Sequence, residues 1–270
     1  MSSADSPAKL IVTVLGSGTS QGVPMIGCRC AVCLSDDPRD KRTRSSIHLA
    51  TPQAKILVDT TPDLRQQALR AGLDHLDAVF FTHPHADHLM GFDDLRRFCE
   101  MQGGKPLPIY SSAETLDQIQ RTFPYAFNPK NKVPGYVHVE PHPIADPFEF
   151  GGIHVTPLPV PHGAVTTYGF LFSYQSRRLL AYLSDCAAVP EPVRAAIEGV
   201  EVLIIDGLRD KEHPTHLNIA GAIAAVKTIG AGRSFITHQT HEKSHVQRTS
   251  ELPDGIGVAY DGMIFEFALE

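Results

Sequence analysis

Phe81-Thr82-His83-Pro84-His85-Ala86-Asp87-His88 places four metal-binding side chains within six residues, directly behind an apolar run that begins at Ala78. Imidazole nitrogen and carboxylate oxygen are the ligands that Zn²⁺ and related ions prefer. Ala78 to Thr82 has the composition of a buried strand, and Asp87 to Glu100 has the spacing of a helix. His83 and His85, alternate residues of an extended segment, point together. Asp87 and His88 open the helix and face a neighbouring position. Two pairs aimed in two directions favour two metal ions over one. The bland alternative is a polar loop with Asp87 as a helix cap and solvated histidines. The H-x-H-x-D-H spacing is too specific for that.

The rest of the chain is compatible with a soluble α/β protein. At 270 residues it can bury most of its apolar surface without disulfides. Its formal charge of -6 offers no general attraction for nucleic acid or for an anionic membrane. No run approaches the ~18 apolar residues of a membrane span, and Met1 to Lys9 lacks the basic start and apolar core of a secretion signal. A cytoplasmic protein is expected, with residues 1–8 as a disordered tail. We find no linker that would split residues 1–270, so one domain is expected. There are 14 histidines, several beside Asp, Pro or Thr at apparent strand ends, which is not how solvated surface histidines distribute.

Hydrophobic patterning predicts strands over Leu10–Leu15, Ile153–Pro157, Thr167–Ser173, Leu179–Leu183, Val202–Ile205, Arg233–Thr237 and Val258–Phe267. Ser46–Ala50 and Lys55–Val58 read as a hairpin about Thr51-Pro52. Helices are predicted over Asp63–Ala71, Ala113–Arg121 and His216–Ile229, with Gly72 and Gly230 as stops. The region from Gln102 to Asp146, rich in Pro and Gly, reads as loop with one helix. Strands mostly antiparallel at first, with helices interleaved later, suggest two sheets sandwiched between helices.

Cys28, Cys30 and Cys33 form C-x-C-x₂-C. Three thiolates this close can chelate one tetrahedral Zn²⁺, with His241 as the candidate fourth ligand. The thiolates would close its coordination, so this zinc is expected to be structural. Cys99 and Cys186 stand alone and are expected to be packed. Arg42, Arg44 and Ser45 make a basic stretch, more consistent with a solvated charge run than with a phosphate contact. The glycine-rich loop Gly16-Ser17-Gly18-Thr19 is read as loop geometry before anion binding.

The H-x-H-x-D-H motif resembles the metallo-β-lactamase superfamily, and further landmarks follow in the family's order over nearly the whole chain. The resemblance implies an αββα sandwich of two mixed sheets between helices. It implies that His83, His85 and His162 hold one divalent metal, that Asp87, His88 and His238 hold a second, and that Asp185 bridges them. Asp59 matches a buried aspartate that supports the metal loop without being a ligand; with Asp87 it is counted among the catalytic residues. The loop Gly16 to Pro24 followed by the cysteine cluster is similar to the cyclic phosphodiesterases of bacterial phosphonate degradation, and more distantly to ribonuclease Z. In His213-Pro214-Thr215-His216 the family places a histidine that contacts phosphate or protonates the leaving group. His216 is the first choice, at the expected helix start, and His213 the fallback.

A phosphodiesterase acting on a small or cyclic phosphodiester is therefore expected. It would use two active-site metals, Zn or Mn, about 3.5–4 Å apart to activate water, together with one structural Zn. No arm for gripping tRNA is evident, so nucleic acid is the less favoured substrate. A homodimer is expected by resemblance alone. The alternatives are a lactone or thioester hydrolase on the same site, or a non-catalytic zinc-binding accessory protein resembling that of pyrroloquinoline quinone synthesis.

Overall fold

The near-continuous apolar strands predict sheets covered on both faces, and a computed structural model shows two of them; it describes residues 8–128, 130 and 135–270. The first sheet contains β1 (Lys9–Gly16), β2 (Ser46–Ala50), β3 (Lys55–Val58), β4 (Ala78–Phe80), β5 (Leu107–Ser111) and β6 (Val139–Pro143). The second contains β7 (Phe148–Phe150), β8 (Ile153–His162), β9 (Val165–Tyr174), β10 (Arg177–Leu183), β11 (Val202–Asp206), β12 (Arg233–Thr237) and β13 (Ile256–Val258). A last strand, β14 (Ile264–Ala268), returns to the edge of the first sheet beside β1. The orders are β14-β1-β2-β3-β4-β5-β6 and β13-β12-β11-β10-β9-β8-β7. Each sheet is antiparallel at one end and parallel at the other: β3 to β6 run parallel in the first, β10 to β13 in the second.

Side-chain alternation decides the layers. Ile56, Val58, Phe80, Tyr182, Val202 and Ile204 face the space between the sheets. Their neighbours Leu57, Val79 and Phe81 face α1 (Leu64–Ala71) and, beyond it in the chain, helices carrying Leu95, Leu116 and Ile119. Ala181, Leu183, Leu203 and Ile205 face outward on the second sheet, against Val193, Ala222 and Val226. The resulting helix–sheet–sheet–helix stack is the αββα sandwich.

Several elements depart from the sequence expectation for identifiable reasons. The single helix expected over Asp87–Glu100 is broken into α2 (Ala86–Leu89), a 3₁₀ turn (Phe92–Asp94) and α3 (Leu95–Met101). The carbonyls of His88 and Leu89 are taken by the Thr60 N–H (2.8 Å) and Thr60 hydroxyl (3.1 Å), so they cannot continue the helical ladder. Gly91 fits against this loop because a Cβ there would lie 1.9 Å from the Thr61 carbonyl oxygen. The Gln102–Asp146 region holds β5 and β6 as well as α4 (Ala113–Thr122). Its prolines hide the strands: Pro108 lies beyond the pairing with β4, while Pro141 and Pro143 are on the edge strand β6, where a missing donor is tolerated.

The run Val258–Phe267 divides between β13 and β14, which belong to opposite sheets. After α5 (Glu191–Ile197), the next helix α6 spans Ile219–Ile229; Asn218 caps it by accepting from the Gly221 N–H, and the final helix α7 spans His245–Glu251. His216 therefore precedes α6 by three residues and lies in a loop, not at the helix start. Residues 1–7 of the expected tail lie outside the described residues; Ala8 accepts a hydrogen bond from the Leu269 N–H. Among the described residues, no helix is long and apolar enough to cross a membrane.

Candidate metal centre

Strand ends converge on one edge of the sandwich, the edge at which the parallel strands terminate, where α/β proteins commonly hold ligands. Asp59 follows β3, the His83 loop follows β4, His162 ends β8, Asp185 lies two residues past β10, Asp206 ends β11 and His238 follows β12. All five histidines and both aspartates singled out for the two metals are brought together. The ligand atoms of His83, His85 and His162 lie within 4.8 Å of one another, as do those of Asp87, His88, Asp185 and His238. His85 Nδ1 is 3.0 Å from His83 Nε2 and 3.1 Å from His162 Nε2. Tetrahedral ligands about 2.0–2.1 Å from one ion stand about 3.3 Å apart, close to these spacings. Asp185 lies between the groups, with Oδ1 3.1 Å from His88 Nε2 and Oδ2 3.5 Å and 3.8 Å from the Nε2 atoms of His238 and His162.

The nitrogens that face the centre are set by what ties the opposite nitrogen of each ring. His88 Nδ1 donates to Asp59 Oδ2 at 2.7 Å. His83 Nδ1 donates to the Thr82 hydroxyl at 2.9 Å, and that hydroxyl donates to Asp59 at 2.8 Å. His162 Nδ1 donates to the Thr215 carbonyl at 2.8 Å. His238 Nδ1 donates to Ser45 Oγ at 3.1 Å, and Ser45 passes its own proton to the Gly18 carbonyl. Each bond fixes the tautomer that turns Nε2 toward the centre, the usual device behind a metal-ligating histidine. His85 alone presents Nδ1. Asp59, fully buried with φ +66°, accepts from the Thr82 N–H, the Thr82 hydroxyl and His88 Nδ1, which places it behind the histidine loop.

Two observations say that a divalent cation fits here. His88 Nε2 and Asp185 Oδ1 are buried 3.1 Å apart without the geometry of a hydrogen bond to each other or to any other group, a costly arrangement unless something else binds them. Burial holds His83 well below the usual histidine range and His238 down at about 4, so both offer neutral lone pairs. Burial would also neutralise His88, but Asp185, Asp87 and Asp59 outweigh it and raise its pKa well above the ordinary value. The negative field of three carboxylates favours positive charge at this point.

His216 stands beside the centre, its ring 4.8 Å from that of His238 and 4.7 Å from that of His162. Its Nδ1 is 2.8 Å from Asp206 Oδ2. Burial lowers its basicity, but the bond to Asp206 more than reverses this. Asp206, fully buried, is pushed up to about 7 by desolvation, with the Asp185 charge adding to it. Asp206 was not singled out from the sequence. The signal was there: like Asp59 and Asp185, it closes an apolar strand. His213, half-buried, has its Nδ1 facing the Thr215 hydroxyl at 3.2 Å; burial, His216 and Arg209 lower its pKa.

The second constellation also closes. Sγ of Cys28, Cys30 and Cys33 lie 3.3, 3.3 and 3.5 Å from His241 Nδ1, near the roughly 3.5 Å expected for a tetrahedral Cys₃His zinc site. The Met25 and Cys33 N–H groups point at the Cys33 and Cys30 sulfurs. Cys30→Ser is expected to lower Tm by roughly 10 °C, about 3–4 kcal/mol for a chain of this size. A melting curve with zinc analysis checks it; an unchanged Tm with zinc retained would refute the assignment.

Arg42 is not solvated, and neither Arg42 nor the partly exposed Arg44 is free for phosphate. Arg42 is buried, with its guanidinium on Asp40 (3.1 Å) and on the Thr240 (2.6 Å) and Lys243 (3.2 Å) carbonyls. Arg44 pairs with Asp63 at 3.0 Å and reaches the Ser20 carbonyl. Both clamp loops that the sequence could not place. Arg42→Met should cost about 3 kcal/mol, since it strands the Asp40 charge; urea unfolding measures this, and a loss below 1 kcal/mol would mean that the clamp carries little. The glycine-rich loop likewise spends its donors internally: Ser17 N–H on Asp261, Gly18 N–H on Thr43 and Thr19 N–H on Gln239. Cys99 and Cys186 are buried, as expected.

The description "beta-lactamase superfamily domain" matches residues 54–239, a span that includes every residue from Asp59 to His238 named above but not the cysteine cluster or His241. A crystal structure of a diphosphatase from the PhnP family superposes with TM-score 0.87 at 38% identity, covering 96% of this chain and 97% of that one. Zinc-bound PqqB from Methylobacterium extorquens superposes with TM-score 0.78 at 25% identity, covering 94% and 99%. An octanoyltransferase of Porphyromonas gingivalis is 39% identical over 258 residues; the match takes in 93% of this chain but only 50% of that relative's length. The shared sandwich, the ligand geometry at its edge and a family match over more than half of its length place the chain in the metallo-β-lactamase superfamily.

Proposed function

We propose that the chain is a metal-dependent phosphodiesterase acting on a small phosphodiester, and that His83, His85 and His162 hold one divalent ion, Asp87, His88 and His238 a second, with Asp185 shared. The observation that carries this is the opposed pair of ligand groups with a carboxylate between them, where buried His88 Nε2 and Asp185 Oδ1 face each other without a hydrogen bond. When bound, two such ions lower the pKa of water and offset charge on a phosphoryl oxygen. The chain's own residues do the rest. Asp59, Thr82 and Ser45 hold the imidazoles in one tautomer and orientation. Asp206 fixes His216 through Nδ1, leaving Nε2 to carry a proton to the departing oxygen. Cys28, Cys30, Cys33 and His241 pin the first loop to the segment that bears His238. The similarity to a diphosphatase supports phosphoryl chemistry; the octanoyltransferase name belongs to a chain of which only half is matched.

Metal-loaded protein should hydrolyse bis(p-nitrophenyl) phosphate in preference to lactone and thioester panels. Chelation should abolish turnover, and added Zn²⁺ or Mn²⁺ should restore it. Similarity to PqqB favours a second reading, a zinc-binding accessory protein. Metal analysis separates the two: about three ions per chain supports the enzyme, since each of the three ligand groups takes one, whereas the cysteine site alone filled supports the accessory protein.

A further inference from the structure

Among the described residues, three non-glycine residues take a positive φ: Asp59, Gln175 and His238. Gln175 lies in the turn between β9 and β10, whereas the other two are at the candidate metal centre. His238 has φ +59°, a conformation that a residue with a Cβ keeps only when its surroundings impose it. The next residue, Gln239, imposes it. Gln239 is buried, and each of its four polar groups has a partner. Its N–H donates to the Ser17 carbonyl at 3.1 Å and its carbonyl accepts from the Thr19 N–H at 3.2 Å, which ties it to the first loop. Its Nε2 donates to the Gly207 carbonyl, just past β11, and its Oε1 accepts from Arg248 Nε at 3.3 Å. Arg248 projects from α7 with only 3% of its side chain exposed, and its Nη1 meets Asp210 Oδ1 at 2.5 Å. One buried guanidinium therefore joins α7, the loop after β11 that carries His216, and the residue next to His238. Burying a guanidinium is costly unless its donors are used in a fixed geometry. The ion pair alone does not account for that burial, because Asp210 is 43% exposed and already has Lys243 at 3.0 Å.

We infer that Arg248 and Gln239 are a positioning pair: they hold the His238 backbone in its left-handed conformation, so that the imidazole reaches both Ser45 and the ion assigned to Asp87, His88 and His238. The inference rests on the proposed metal assignment, but the imidazole can be read without it. Ser45 sets the His238 tautomer through the 3.1 Å bond to Nδ1, and that bond forms only if the ring is delivered to one place. Without the guanidinium, Gln239 Oε1 is a buried acceptor with no donor, which is costly. The amide then turns to find one, releases the Gly207 carbonyl and frees the peptide after His238.

Arg248→Met, Gln239→Met and the double variant test this in the zinc-loaded protein, by competition with a chromogenic chelator, histidine ¹⁵N–¹H spectra and thermal melts. Each single variant should weaken one active-site zinc roughly 10–100-fold, the usual loss when a group behind a ligating histidine is removed. The zinc of the cysteine site should be retained. The His238 Nδ1 proton, shielded in wild type by its bond to buried Ser45, should exchange faster with solvent. The double variant should lose no more than the worse single one, because residues acting as a unit are not additive. Arg248→Lys keeps a charge beside Asp210 but lacks the planar fork; it should fold and show the same zinc loss, so instability of Arg248→Met cannot hide the effect. A lower Tm with every zinc affinity and the His238 proton unchanged would make the pair a scaffold and overturn the inference. If wild type binds zinc at the cysteine site alone, the dinuclear assignment falls. Faster exchange of the His238 proton in the variants then still supports the clamp, and unchanged exchange overturns it.

Discussion

Asp185→Asn is expected to lower phosphodiester turnover by at least about 10³-fold, more than most single oxyanion donors contribute, while leaving the chain folded. Asp185 is the carboxylate within 4 Å of His88, His162 and His238 together. Asn keeps the shape and removes the charge, so it weakens both proposed ion sites at once, whereas loss of His85 weakens one. The fold should survive because the strand before it is held by packing: Leu180, Tyr182 and Leu183 are buried in the layers on either side. Steady-state kinetics, metal analysis and a thermal melt check the expectation together. Activity within tenfold of wild type, with both active-site ions retained, would remove Asp185 from the proposed centre. An unfolded product would make its role structural.

His216→Ala should reduce turnover of an alkyl phosphodiester by about 10²–10⁴-fold, the usual contribution of a positioned general acid. The loss should shrink to less than about tenfold when p-nitrophenolate leaves, because that group departs without a proton. Equal losses on both substrates would reassign His216 to phosphate binding or to packing between the His162 and His238 rings. Asp206→Asn should reproduce the leaving-group dependence in weaker form, since it acts through the 2.8 Å contact to His216 Nδ1. His213 has no carboxylate behind it among the described residues, and His213→Ala should show no such dependence.

The candidate metal centre was legible because the residues proposed as its ligands obey local rules. His83, His85, Asp87 and His88 are adjacent in sequence, and the other ligands close apolar strands, where a parallel sheet delivers side chains to one edge. The hairpin of β2 and β3 was legible for the same reason: Ser46–Ala50 and Lys55–Val58 carry their burial pattern in their own composition. Where the expectation failed, a distant partner had intervened. The helix after His85 breaks because Thr60 takes its carbonyls, and nothing between residues 87 and 100 announces Thr60. Val258–Phe267 looks like one strand because its apolar residues do not reveal that the two ends pair in different sheets. Arg42 resembles a surface charge until the Thr240 and Lys243 carbonyls close over it.

By itself, then, the sequence determined the kind of chemistry: which donor atoms are present, that they suit divalent cations, and that alternating apolar strands would carry them on two sheets. Those are properties of side-chain type and period, which are local. Only the tertiary structure decided which atom of each imidazole faces the centre and that Asp206 stands behind His216. Hydrogen-bond partnership depends on residues brought together from remote parts of the chain, and no spacing along the chain encodes which donor is already spent.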